Sequence, residues 1–326
     1  MAAAPLPDLR TAVPPASRGG IGFAQGRYGL RGNLELMLCD ELDGLWVLWF
    51  NNDPDDTAAE PGGPPPGEWS GALRFATGRR YDQVHVVQSR NGPHHLEVLA
   101  RSGGAPHRLR WSPEAAFTDE EPPPGTPARA VTVAETSDGT LWAGVLGEDG
   151  GARLLRADTT AYPRLAWSGA PPAKPPLPEG HWTTAVLLPV RGATRPGIGL
   201  LGPAGGVYTG PEGDVHPLPA SGAAAGAAPG GVPRFYLWRG GSRLDVVHPG
   251  RPEADRRLPL PGAGDVTALA AAPLAGSGRT DLVLRRGGRL WHLRDHGHQE
   301  DLPAAEIVSR LTRADGDAGK PVHRGG

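Results

Sequence analysis

Short apolar runs, separated by turn residues, recur along the whole chain. DQVHVVQS (82–89), TTAVLLPV (183–190) and VTALAAAPL (266–274) are dense in apolar residues. NLELML (33–38), HLEVLA (95–100), RLDVVH (243–248) and DLVLRR (281–286) tend to alternate. Alternation with period two is the mark of a β-strand, whose successive side chains point to opposite faces. Helical periodicity is missing except over AEIVSRLTR (305–313), which reads as a short helix or a closing strand. Asp43-Gly44, Asp138-Gly139, Gly205-Gly206 and Gly287-Gly288 each precede an apolar–aromatic step. Such pairs supply the positive φ that hairpin turns need, so neighbouring strands are antiparallel.

The runs follow one order: an apolar strand, an alternating strand, a Gly turn, an aromatic-bearing strand and a loop. Starts near 19, 82, 128, 181, 232 and 265 divide the chain into about six units of four short strands. A four-stranded unit of about 40–50 residues is a propeller blade. The expectation is an all-β, β-propeller protein with about six blades. The first and fifth units carry the pattern least clearly, which leaves room for a seventh. A flat sandwich predicts no repeat at this period. Closure of the ring removes an exposed sheet edge, with Ile21–Phe23 or Ile307–Leu311 completing a terminal blade. The expected layout is a disordered segment over 1–18, a single propeller domain over 19–313 and a polar tail over 314–326. Pro-rich breaks at 59–67, 121–127, 170–178 and 217–233 read as surface loops, because Pro lacks the ladder donor and Gly is costly to order.

Composition supports this picture. Gly 49 and Pro 37 make up about a quarter of the 326 residues, near the range of disordered chains. Nine Trp and the many Val/Leu runs argue for a packed fold instead. A net charge of −2 gives no basic field for nucleic acid. Cys39 is the sole cysteine, which excludes an intramolecular disulfide and a cysteine zinc site. No run reaches about 18 apolar residues, so no transmembrane helix is expected. The first residues lack a basic and apolar leader pattern. A cytoplasmic location is expected by default, and export without a visible signal would leave the same pattern.

The stretch WSGALRFATGRRYDQVHVVQSRNGPHHLEVLARSGG, followed by HRLRWSP, resembles a group of actinobacterial β-propeller proteins of unassigned function. The matching positions are Trp69 to Phe75, Tyr81 to Ser89 and His95 to Arg101, with His95 where Asn is usual. The Gly288–His292 strand is similar to repeats of PLL-like and tectonin-like lectin propellers. The resemblance implies the fold more than the ligand, since one fold hosts many functions.

Sugars present C–H faces that stack on aromatic rings, while carboxylates, amides and Arg fix the hydroxyls. Trp46, Trp142, Tyr208 and Trp291 all follow the Gly turn and are the candidate ligand-binding platforms. A repeated aromatic also packs blade on blade, so both roles stay open. Trp69, Trp111 and Trp167, in the Trp-Ser-Gly/Pro motifs, read as structural.

Metal, nucleophile and phosphate motifs are weaker. The loop FNNDPDD (50–56) lacks the Asp-x-Asp-x-Asp-Gly spacing of a calcium site. His292, His296 and His298, with Asp295 or Glu300, have irregular spacing for zinc. Adjacent His94 and His95 would face opposite sides of a strand. Ala275-Gly276-Ser277-Gly278 has no strand-to-helix context for a nucleophile elbow, and no phosphate-binding loop motif occurs. No catalytic residue, metal or cofactor is therefore expected. The expected function is a non-enzymatic binding module, with a glycan as the leading ligand. The alternatives are a protein-interaction scaffold and, third, a polysaccharide-acting propeller enzyme with carboxylates drawn from separate blades.

Overall fold

The computed structural model describes residues 16–26, 32–53, 64–92, 94–124, 127–169, 180–297 and 303–307. Among them lie 24 strands in six antiparallel sheets of four. Blade 1 is β1 (Ser17–Gln25), β2 (Leu34–Asp40), β3 (Leu45–Phe50) and β4 (Leu73–Phe75). Blade 2 is β5 (Gln83–Gln88), β6 (Leu96–Ser102), β7 (Ala105–Ser112) and β8 (Ala116–Glu120). Blade 3 is β9 (Ala128–Glu135), β10 (Leu141–Gly147), β11 (Ala152–Asp158) and β12 (Ala166–Gly169). Blade 4 is β13 (Thr184–Leu188), β14 (Gly197–Gly202), β15 (Gly205–Thr209) and β16 (Val215–Leu218). Blade 5 is β17 (Ala223–Ala227), β18 (Arg234–Trp238), β19 (Arg243–Val247) and β20 (Arg256–Pro259). Blade 6 is β21 (Val266–Pro273), β22 (Thr280–Arg286), β23 (Arg289–Asp295) and β24 (Ala304–Glu306).

In every sheet the strands pair in chain order, and the first strands pack side by side in a ring that β21 and β1 close. The protein is a six-bladed β-propeller. A second strand has a blade on each side and strands at both edges, so both its faces are buried. That explains why β2 and β14 are buried at every position, the charged Glu35 and Asp40 of β2 included. The cores lie in the seams between blades. Phe23, Leu36 and Leu48 of blade 1 meet Ala270, Val283 and Leu290 of blade 6. Met37 and Val47 meet Val84 and Leu109 across the next seam.

The first and the last described segments each complete their own blade. Ile21 and Phe23 lie on β1 and pair with Leu38 and Leu36 of the same sheet. Ile307 donates its backbone N–H to the Leu290 carbonyl at 2.9 Å, beyond the last strand of blade 6. The first and last blades are therefore joined through side chains. Arg285 donates to the Gly19 carbonyl at 2.8 Å and to Ser17 Oγ at 3.0 Å.

Two sequence expectations need correction. The fifth unit starts at Ala223, not near 232, so part of the expected loop 217–233 is the first strand of blade 5. First strands crowd round the axis, and small residues allow the approach. A Cβ on Gly226 would lie 2.8 Å from Leu188 and 2.9 Å from Val186 in blade 4. The shift also makes RLDVVH a third strand, with RFYLW of β18 before it. Ala304–Glu306 is strand, and the rest of the 305–313 run beyond Ile307 lies outside the described residues, as do 1–15 and the 314–326 tail.

Candidate functional site

The four aromatic candidates are not structurally equivalent. Trp46, Tyr208 and Trp291 lie on third strands, whereas Trp142 lies on the second strand of blade 3. They stand in four blades and come together nowhere. Trp142 faces blade 4, is buried, and donates its indole N–H to Thr136 Oγ1 at 3.2 Å. Tyr208 faces blade 5 and is buried edge-on against Phe235, with ring centroids 5.5 Å apart. Both fill the seam toward the following blade.

Trp46 and Trp291 face the preceding blade and are half-buried. Trp46 packs on the blade 6–blade 1 seam and donates its indole N–H to the buried Asp40 carboxylate at 2.5 Å. Across the sheet, Trp46 pairs with Arg74 of β4, whose guanidinium lies 5.8 Å from the indole centroid. That distance is within cation–π range. Arg74 also forms an ion pair with Asp43, and both side chains are more than a third exposed. Gly78 N–H holds the other Asp43 oxygen at 2.8 Å. Trp291 packs on the blade 5–blade 6 seam, against the turn at Gly262. It pairs with Glu306 of β24. Arg289, two residues before it and on the same face, lies 3.2 Å from the Glu306 carboxylate. Each half-buried indole is thus flanked by a guanidinium and a carboxylate open to solvent. The sequence reading identified the two indoles but missed Asp40, Asp43, Arg74, Arg289 and Glu306.

Other charged residues lock blades together. Asp295 of blade 6 accepts from Tyr236 (2.7 Å), Arg234 (3.0 Å) and Arg256 (2.5 Å) of blade 5, and from its own Gly297 N–H (2.8 Å). Burial alone would raise its pKa. The hydrogen bonds from Arg256, Tyr236 and Gly297 outweigh it and hold the carboxyl below its ordinary value. Glu97 of blade 2 takes a two-pronged bond from Arg108 and one from Tyr162 of the blade 3 turn at 2.8 Å. His292 sits among Trp69, Phe50 and Phe23, bonded to Asp281 at 2.9 Å, with burial pushing its pKa down. His95 lies against Tyr162, and His94 occupies a turn with φ 57°. Asn52 accepts from Arg279 at 2.9 Å. Asp55, Asp56, His298 and Glu300 lie outside the described residues. Among the described residues, the carboxylates that line the channel enclosed by the first strands are Asp82 and Glu135, at opposite ends of those strands, and both are held by neighbouring polar groups.

No family model matches the chain, and no curated protein does. Solved structures do. Aleuria aurantia lectin, in complex with α-methyl-L-fucoside, aligns with a TM-score of 0.60 at 11% identity, covering 94% of this chain and 99% of that one. AofleA from Arthrobotrys oligospora aligns with a TM-score of 0.58 at 11% identity, over 91% of each chain. SapL1 lectin, in complex with α-methyl fucoside, aligns with a TM-score of 0.56 at 10% identity, over 92% of this chain and 98% of that one. At such identities the likeness is one of fold: this chain has the architecture of the six-bladed lectin propellers.

Proposed function

We propose that the protein is a non-enzymatic carbohydrate-binding propeller, with two ligand sites per chain at Trp46 and Trp291. The observation that carries this reading is the repeated arrangement of a half-buried indole with an Arg–carboxylate pair on its own blade, partly or fully open to solvent. An indole face offers a surface for sugar C–H groups, and the guanidinium and carboxylate offer donors and acceptors for hydroxyls. Trp142 and Tyr208 act as packing residues. The resemblance to fucose-binding lectins makes methyl α-L-fucoside the first ligand to try. A contact of this size binds weakly, and two sites on one ring raise avidity on a multivalent glycan. The scaffold alternative needs a contiguous exposed apolar patch. Among the described residues, Leu42 and Val215 are the exposed large hydrophobic side chains. Glycan-array binding of the full chain tests the reading. Retention of a defined glycan set, lost in the double variant Trp46→Ala/Trp291→Ala with the fold intact, is expected. No glycan retained, or retention unaffected by the double variant, overturns it.

A further inference from the structure

The two seam indoles stand at the same place in their blades. Leu38 of β2 pairs with Trp46, and Leu284 of β22 pairs with Trp291. Two residues further on, each second strand ends in a buried charged residue on the same sheet face as its indole. In blade 1 that residue is Asp40, and in blade 6 it is Arg286. The buried charge beside the two indoles is therefore opposite in sign.

Arg286 is held by neutral groups. Its Nε donates to the Gly264 carbonyl at 2.9 Å, Nη1 to the Leu260 and Pro261 carbonyls at 3.1 Å, and Nη2 to the Gly241 carbonyl at 3.1 Å. Gly262, next to Pro261, lies against the Trp291 ring, where a Cβ would come within 3.0 Å. Trp238 of blade 5 is half-buried, donates its indole N–H to the same Gly241 carbonyl at 3.2 Å, and packs on the same seam core as Trp291. Two indoles and a guanidinium are thus gathered at one seam. Among the described residues, no carboxylate pairs with Arg286. Arg289 is matched by Glu306. Asp265 is exposed and precedes β21, two strands inward from Trp291. Two guanidinium groups therefore stand with one carboxylate around Trp291. Around Trp46 two carboxylates, Asp40 and Asp43, stand with Arg74. Arg285, bonded to Ser17 opposite Asp40, brings that balance to zero.

A buried guanidinium solvated by carbonyls keeps much of its field, because little water lies around it to screen the charge. An anionic group bound at Trp291 gains from that field, and one bound at Trp46 does not. We propose that the Trp291 site prefers an acidic sugar, one that carries a carboxylate, whereas the Trp46 site does not discriminate by charge. The proposal rests on the carbohydrate reading and adds the ligand class of one site. The expected preference is about three- to tenfold, the size of one partly screened charge interaction. A single glycan in excess still fills both sites.

NMR titration of the full chain with methyl glucuronide and with methyl glucoside tests it. The two sugars differ only in a carboxylate against a hydroxymethyl group. The indole N–H signals of Trp46 and Trp291 report each site and are assigned with Trp46→Phe and Trp291→Phe. At Trp291 the glucuronide should bind about three- to tenfold more tightly than the glucoside, and the gap should narrow in about 0.5 M NaCl. At Trp46 the two sugars should bind alike. Arg286→Lys should keep the preference and Arg286→Met should abolish it. If Arg286→Met does not fold, Glu306→Gln decides, since loss of the competing carboxylate should widen the preference at Trp291. Equal affinities at Trp291, the same preference at Trp46, a preference kept in folded Arg286→Met, or one unmoved by both salt and Glu306→Gln would overturn the proposal and leave the seam indoles as sugar sites. Failure of both sugars to shift either indole would overturn the carbohydrate reading with it.

Discussion

Replacing Asp295 with Asn should expose how far the ring depends on buried ions at its seams. Asp295 is fully buried and joins blades 5 and 6 through Arg234, Arg256 and Tyr236. Asn keeps the shape but removes the charge that two guanidinium groups face, and turns one acceptor into a donor. Hydrogen bonds to charged groups contribute about 1.5–3 kcal/mol each, and breaking a buried ion pair costs about 3–5 kcal/mol. Arg234 and Arg256 keep 12% and 20% exposure and recover some hydration. A loss near the lower end, about 3 kcal/mol, is therefore expected at pH 7. Urea unfolding of wild type, Asp295→Asn, Arg256→Met and the double variant measures the loss and the coupling. The native carboxyl has a depressed pKa, so its contribution is complete above the ordinary value of 3.8 and is lost as pH falls through the native value. The gap between wild type and Asp295→Asn should shrink in the same acid range. A loss below about 1 kcal/mol, or additive effects of the two single variants, would refute the account of this seam.

Trp142→Ala should cost about 3–5 kcal/mol in urea unfolding, because the indole is buried, and Trp46→Ala clearly less. Equal losses would contradict the division of the four aromatics. Gly226→Val should lower stability by about 1–3 kcal/mol through overpacking against Leu188 and Val186, seen as a lower midpoint in thermal unfolding. Burial raises the Glu35 pKa to about 7, against a partial opposing effect of the Asn33 hydrogen bond. The folded chain therefore binds the extra proton between pH 4.5 and 7, and this contribution to stability is present below 4.5 and lost as pH rises through about 7. Glu35→Gln should remove that part of the pH dependence in thermal unfolding from pH 5 to 8, and an unchanged profile would show that Glu35 does not titrate there.

The propeller was legible because dense apolar and alternating runs recur in one order along the chain, and because Asp-Gly and Gly-Gly turns mark several of the hairpins. The first strand of blade 5 was not legible. Crowding at the axis favours Ala and Gly, so Ala223–Ala227 has the composition of a linker. That misreading moved the alternating strand of blade 5 by one place. The aromatic after a Gly turn looks in sequence like one repeated position, yet Trp142 follows the first hairpin of its blade and Trp46 the second. Turn chemistry marks a hairpin without ranking it. Arg74 and Glu306 escaped notice because each is set opposite its Trp by strand register across a long loop, which local pattern does not encode.

The most direct test of the proposed function is calorimetric titration of the best array glycan, prepared as a monovalent fragment, into wild type, Trp46→Ala and Trp291→Ala. Two sites per chain in the wild type, falling to one in each single variant, is the predicted result. A stoichiometry unchanged by either substitution, or no heat with any glycan, would contradict the assignment of sugar binding to the seam indoles.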